Sequence, residues 1–502
     1  MKIVIFALFW STAAFANTDF WAPLDPPQVS CRIEARLDAS ASRITGSETI
    51  RFTNNTSRPI GRVAFKFDGE ELKVRANGIA AARVAGVKNP ALFEFAPELA
   101  PGASAELAAD WSRSCEPVQD GHCLATSEWY PRLWWGYESL ADYEAKVEAP
   151  AGLVVLIAGQ RTNGVFKAPG ARALGLAVAR GMEMESAEEG GVTVTAIFTR
   201  KGSDCAHLVL KTATDAIGYY QGRFGFYPQN SLLIVPGADQ PIGGCPVGSG
   251  LIAIHGEEHM REKPDDWWKW VTAHEIGHMY WSEHVLAQGP DWINWLLVGL
   301  GLHADQEYAR ARGINGGDLL KVYASGVKAG YDTTMDLTAK QLEAVQWDYN
   351  NIVMHGKSLA MEKALEAVIG AKTYDAAYRR CLHEYSGKRL GWREFQKIAE
   401  QESGQDLEWF FEQWVRSPAF AAYEVAGQAS SNGVSTVRIQ KTGTMHLPVT
   451  VAAQFEDGTE QRAVTERLAE AETLRFRAAS PLTNVVLEPD SSVILTGKGV
   501  NK

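Results

Sequence analysis

The sequence predicts a multidomain α+β protein, and three observations carry the prediction. From about Cys31 to Ile197 apolar and polar residues alternate, the period of strands; from 198 to about 418 the apolar period lengthens to that of helices; from about Tyr423 alternation returns. A chain of 502 residues, 46% hydrophobic and 22% charged, has ordinary globular composition and room for about three domains.

The first sixteen residues carry Lys2, an apolar run from Ile3 to Trp10 and small residues ending Ala14-Phe15-Ala16. That is the layout of a secretory signal cleaved after Ala16, so the protein is expected to be exported, to a periplasm or the extracellular space. No later segment reaches the roughly 18 uninterrupted apolar residues of a membrane-spanning helix. The formal charge of -11 argues against a nucleic-acid partner, whose phosphates demand a basic face. Six cysteines in an exported chain are compatible with disulfides, and Cys115 with Cys123 is the first pairing to expect; Cys31, Cys205, Cys245 and Cys381 are left open. No Cys-x-x-Cys pair exists, which argues against a cysteine zinc site.

The N-terminal β domain, about 25–197, contains strand patterns at Cys31 to Asp38, Ile44 to Phe52, Gly61 to Phe67, Ser104 to Trp111, Ala145 to Ala149 and Leu153 to Ala158, separated by turn signals such as Pro101-Gly102. Its Trp129-Tyr130 and Trp134-Trp135 clusters suit packed core better than a cleft lining. Beyond it, Ala206 to Phe224 reads as a helix closed by Gly225, and Ser231 to Val235 and Leu251 to Ile254 as strands flanking the glycine-rich run 243–250.

Next comes His274-Glu275-Ile276-Gly277-His278, in a helix started by Pro264, Asp265 and Asp266 and ended by Gly289-Pro290. Histidines at i and i+4 share one helix face, so both imidazoles can reach one Zn²⁺ while Glu275 addresses the water to be activated. A surface helix with two histidines is the plain alternative. Asp291 is placed to cap a following helix from Trp292 to about Arg312, and Gly356 to Ile369, Tyr374 to Glu384, Gly391 to Glu402 and Asp406 to Arg416 complete a helical region ending near 418. From 423 to 498, strand patterns at Ser435 to Gln440, Leu447 to Phe455, Gln461 to Glu466, Thr473 to Phe476 and Val485 to Leu487, with turns at Asp457-Gly458 and Pro489-Asp490, predict a small β-sandwich.

This order of parts, with Ile44 to Asn54, Val271-Thr272-Ala273-His274-Glu275-Ile276-Gly277-His278 and Ser403 to Trp414, resembles the alanyl aminopeptidase and leukotriene hydrolase family of gluzincins. The resemblance implies a thermolysin-like mixed α/β and then helical catalytic domain over 198–418. It also implies zinc bound by His274 and His278, Glu275 as general base, and a peptide or protein substrate.

Several family positions are altered. The family's third ligand, a glutamate in a Trp-Leu-Asn-Glu-Gly-Phe-Ala type segment, aligns with Val298 in Trp295-Leu296-Leu297-Val298-Gly299, or with Leu297 by spacing. The carboxylate that anchors a substrate's free amine aligns with Val247, so aminopeptidase selectivity is not expected. The oxyanion-stabilising tyrosine belongs to a segment whose counterpart is Val353-Met354-His355-Gly356, with Tyr349 and His355 as the nearest substitutes. With two imidazoles alone, zinc should bind weakly. His284, six residues after His278, would lie about 240° round a continuing helix, away from the metal, and Glu283, His303, Asp305 and Glu307 are further candidate replacements, each better explained as a solvated helix face. The expected function is therefore a zinc-dependent metallopeptidase that needs no free amine. The alternative is a degenerate homologue that binds peptide or protein without cleaving it; a purely structural adhesion protein would need a large apolar or repeat-like surface.

Overall fold

In the strand Val29–Asp38 every second side chain is buried, and the apolar half of that alternation is what makes the N-terminal region a sheet packed on one face. The computed structural model describes residues 28–38, 42–86, 90–237, 243–255, 260–288, 294–467 and 470–488. The leader 1–16, the beginning of the first domain, the breaker Gly289-Pro290, the cap Asp291 and the turn Pro489-Asp490 lie outside these residues. The chain is mixed α and β with several separate sheets, and it divides into two compact units, Met1–Leu286 and Ala287–Lys502. Among the described residues no helix is long and apolar enough to cross a membrane.

In the first unit, β1 (Val29–Asp38) lies antiparallel to β2 (Arg43–Thr53) and parallel to β4 (Ala141–Glu148), while β2 pairs with β3 (Ser104–Ser114), all in one eight-stranded sheet. The core beneath holds Ile33, Ile50, Leu107, Trp111, Trp129 and Trp135. Trp129 and Tyr130 are fully enclosed, and the Trp129 indole donates to Leu174 O at 2.9 Å, so these aromatics are core as expected. The expected Cys115–Cys123 bridge is not formed, and the described residues contain no disulfide. Cys115 leaves the end of β3, whereas Cys123 sits in His122–Thr126, a strand of a different, three-stranded sheet; closeness in sequence did not become closeness in space.

A five-stranded sheet follows, built from β5 (Glu183–Glu189), β6 (Val192–Phe198), β7 (Ser231–Gly237), β8 (Gly244–Gly248) and β9 (Leu251–His255) in the order β5-β6-β7-β9-β8. Strands β6, β7 and β9 run parallel, and helix α1 (Ser203–Phe224) makes the crossover between β6 and β7. β8 is an antiparallel edge, where Pro246 is tolerated because an edge strand leaves one row of backbone groups unpaired.

Helix α2 (Asp265–Tyr280) completes the helices of the first unit, and the second unit begins with α3 (Trp295–Arg312), α4 (Leu319–Lys328), α5 (Ala339–Glu343), α6 (Ser358–Ile369), α7 (Ala371–Glu384), α8 (Trp392–Ser403) and α9 (Glu408–Val415). The expected helix from Gly356 starts earlier and differently, as a π-helix over Asn350–Lys357 running directly into α6. Two three-stranded sheets close the chain, one of Tyr423–Ser431, Val434–Lys441 and Ala471–Arg477, the other of Glu460–Val464, Thr450–Phe455 and Leu482–Leu487.

Inside this helical part α3 and α6 meet at Gly299, where an added Cβ would sit 3.0 Å from Ser358 Cβ and 3.3 Å from Glu362 Cγ. Glu362 is fully buried there; Tyr374 donates to one of its oxygens at 2.8 Å and Oε1 has no partner among the described residues. Burial pushes its carboxyl up to about 8, against a weaker opposing effect of the Tyr374 bond. Because the folded value lies above the unfolded one, this group's stability contribution is fully present below about pH 4.3 and is lost as pH rises through 8. Glu362→Gln, an isostere of the protonated form, is therefore expected to raise stability at pH 8 by on the order of 2 kcal/mol and to leave it nearly unchanged at pH 4, as read by thermal unfolding at both values. Equal effects at the two values would contradict this.

Candidate metal centre

Helix α2 (Asp265–Tyr280) follows β9, and its beginning is the one expected: Pro264 is the extended N-cap residue, with Asp265 and Asp266 in the first turn. From Trp268 to Tyr280 nearly every side chain is buried, so it is no surface helix. Aromatic groups fix it against α1. Tyr220 donates to Ala273 O at 3.2 Å, Tyr280 donates to Phe226 O at 2.6 Å, and the Tyr280 ring stands edge-on to Tyr220 and Phe224.

On this helix His274 Nε2 and His278 Nε2 approach to 3.2 Å, with the rings nearly perpendicular at 84°. Two nitrogens bound to one tetrahedral Zn²⁺ at about 2.0–2.1 Å stand about 3.3 Å apart, so the pair is already spaced to share a cation. His274 is buried, and burial lowers its pKa to about 4, which keeps it neutral, the form a ligand requires. His278 Nδ1 lies 3.4 Å from Trp281 O. The donor set fits zinc as two of its ligands. Among the described residues no group of three His, Cys, Asp or Glu side chains lies close enough to hold a metal ion.

Glu275 is buried against β8: a Cβ on Gly244 would fall 2.6 Å from Glu275 Cγ and 2.9 Å from Cδ. Glycine at 244 therefore gives the carboxylate its room. Cys245 and Val247 pack on the cluster of Ala158, Leu233, Val235 and Leu251, and burial, with the Glu275 charge second, pushes the Cys245 thiol up to about 12. Val247, the position aligned with the amine-anchoring carboxylate, thus points into an apolar layer.

The expectation that α2 continues to Gly289 is corrected. The helix ends at Tyr280; Trp281 is extended, Ser282 has φ 115°, and Trp281 bridges to Val285. His284 is carried by this turn and packs edge-on to Phe226 at 5.5 Å, mostly buried. The expected solvated helix faces are also corrected: Glu283, His303 and Asp305 are buried. Glu283 pairs with Arg172 and Ser249, and His303 Nε2 lies 2.9 Å from a Glu366 oxygen. Glu307 is partly exposed and pairs with Arg310. Glu283, His303 and Glu307 thus have occupations apart from a metal, and Gln306 donates to Asp305 at 3.4 Å.

In the second unit Val298 and Leu297 lie buried on α3, and neither alkyl chain can coordinate a cation. Val353 is buried in the π-helix. Tyr349 precedes that helix; it is buried, burial raises its phenol, and its hydroxyl has no partner among the described residues. His355 Nδ1 is engaged by Asn350 O at 2.8 Å across the π turn. Sequence reasoning missed the Arg172–Glu283–Ser249 contact, because no periodicity connects residues so distant in the chain.

No family model matches the chain, and no curated protein matches it.

Proposed function

We propose that the protein is an exported zinc-dependent metallopeptidase of gluzincin type, with an N-terminal β domain, a thermolysin-like catalytic domain over 198–418 and a C-terminal β-sandwich, acting on peptides without anchoring a free amine. The observation that carries the reading is the 3.2 Å approach of the two Nε2 atoms on a buried helix with Glu275 between them in sequence. When bound by His274 and His278, zinc would lower the pKa of a water and polarise the scissile carbonyl. Glu275 takes a proton from the attacking water and hands it to the leaving amine nitrogen as the C–N bond breaks. Burial beside Gly244 fixes its direction.

Among the described residues β8 is a sheet edge, which suits the docking of an extended peptide next to the strand residue that abuts Glu275. Of the two residues that the resemblance suggests as oxyanion donors, Tyr349 has a hydroxyl unpartnered among the described residues, whereas His355 Nδ1 lies 2.8 Å from Asn350 O. With Val247 turned into an apolar layer, no ion pair to a substrate N-terminus is available at that position.

The test is hydrolysis of matched peptides with free and acetylated N-termini, with and without a chelator. Equal, chelator-sensitive cleavage of both supports the reading, and cleavage confined to free amines contradicts it. One observation favours a second reading, a peptide-binding module that does not cleave: a buried valine stands where the resemblance requires the third ligand. Peptide binding without turnover in zinc-supplemented protein would favour that reading.

A further inference from the structure

Past α2 the chain is held in a closed turn. Trp281 N–H donates to Gly277 O at 3.0 Å, Glu283 N–H to His278 O at 3.1 Å and Val285 N–H to Tyr280 O at 2.8 Å. Ser282, with φ 115°, adopts a backbone conformation that L side chains disfavour, so local preference does not maintain this turn. The Glu283 side chain ties the turn to Arg172 and Ser249. It is fully buried, and both oxygens are engaged: Oε1 accepts from Arg172 Nε at 2.9 Å and also from Nη2, and Oε2 accepts from Ser249 Oγ at 2.7 Å.

Its partners are fixed independently of it. Arg172 N–H donates to Ser249 Oγ at 2.9 Å, and Ser249 N–H donates to Ala173 O at 3.0 Å. Arg172 also lies 3.8 Å from Glu138, which Arg132 at 3.0 Å and Lys66 hold in turn. Burial favours a protonated Glu138, but the charges of Arg132, Lys66 and Arg172 outweigh it and keep that carboxyl well below the usual range. Charges of alternating sign therefore run from the N-terminal β region through the interior to the turn behind His278.

What this turn presents to His278 is the Trp281 carbonyl, 3.4 Å from Nδ1. An imidazole donating from Nδ1 keeps its lone pair on Nε2, the atom that faces His274. We infer that Glu283, clamped by Arg172 and Ser249, is a positioning residue for His278: it holds the turn whose carbonyl sets the tautomer and direction of that ring. The purpose of this arrangement rests on the metal-centre reading; its geometry does not. A cluster that only stabilised the fold would leave the tautomer alone.

The experiment uses the full chain, metal-free, with ¹⁵N-labelled histidine, and reads the His278 tautomer from its nitrogen shifts. Zinc affinity is measured on the same preparations by competition with a chromophoric chelator. Wild type is expected in the Nδ1–H form. Glu283→Gln is expected to give mixed tautomers and to weaken zinc binding by about 10–100-fold, the usual consequence of losing support behind a ligand. Ser249→Ala, a milder change, should move both readouts in the same direction and serves if E283Q does not fold. A wild-type Nε2–H form, or a folded variant with unaltered tautomer and affinity, overturns the inference. If the tautomer responds to E283Q but neither protein binds zinc, the positioning role stands and the metal-centre reading falls.

Discussion

Glu275→Gln is expected to lower peptide turnover by about 10²–10⁴-fold, the range that a positioned general base contributes, while leaving zinc content and thermal stability unchanged. The change keeps shape and removes the lone pair that takes the proton. Glutamine fits the space beside Gly244 that glutamate occupies, so the loss reports on proton transfer and not on packing. Since the side chain is buried, replacing a carboxylate by a neutral amide should not cost stability. The measurement is kcat with zinc quantified in the same sample. Wild-type rates in a zinc-loaded E275Q protein would remove Glu275 from the proposed mechanism.

The second large effect is expected at Val298, 6% exposed on α3. Val298→Glu places a carboxylate where the resemblance expects the third ligand. Without metal that carboxylate is buried unpaired, which costs several kcal/mol, so the thermal midpoint of metal-free protein should drop. With zinc the charge is neutralised, affinity should rise by about 100-fold or more, and the midpoint should recover, because a ligand at 100 times its Kd stabilises by about 2.7 kcal/mol. Calorimetry across a zinc titration reads both. A destabilised variant whose zinc affinity equals that of wild type would show that Val298 is not at the ligand position.

How much of this was legible beforehand follows the range of the interactions involved. The beginning of α2 and the pairing of His274 with His278 depend on Pro264, two aspartates and an i, i+4 spacing, all local, and they were readable. The end of α2 was not, because the turn at Trp281–Val285 depends on Arg172 and Ser249, far away in the chain. Alignment identified Val247, but only the folded packing shows that its side chain lies against the apolar layer. Glu362 lies within the expected Gly356 to Ile369 helix, but nothing local marks it for burial, which accompanies the close approach of α6 to Gly299. The π-helix around His355 has no local signature of its own; a bond from the ring to Asn350 O accompanies it. Cys115 and Cys123 show the converse error, in which short separation suggested a contact that sheet membership prevents.

The most direct test of the central claim is zinc content after exhaustive dialysis of wild type, His274→Ala and His278→Ala, measured by elemental analysis. Wild type is expected to take up about one zinc per chain on micromolar supplementation after dialysis, and each alanine variant to take up none. A folded wild-type protein that takes up no zinc, or zinc that survives loss of either histidine, would contradict the account.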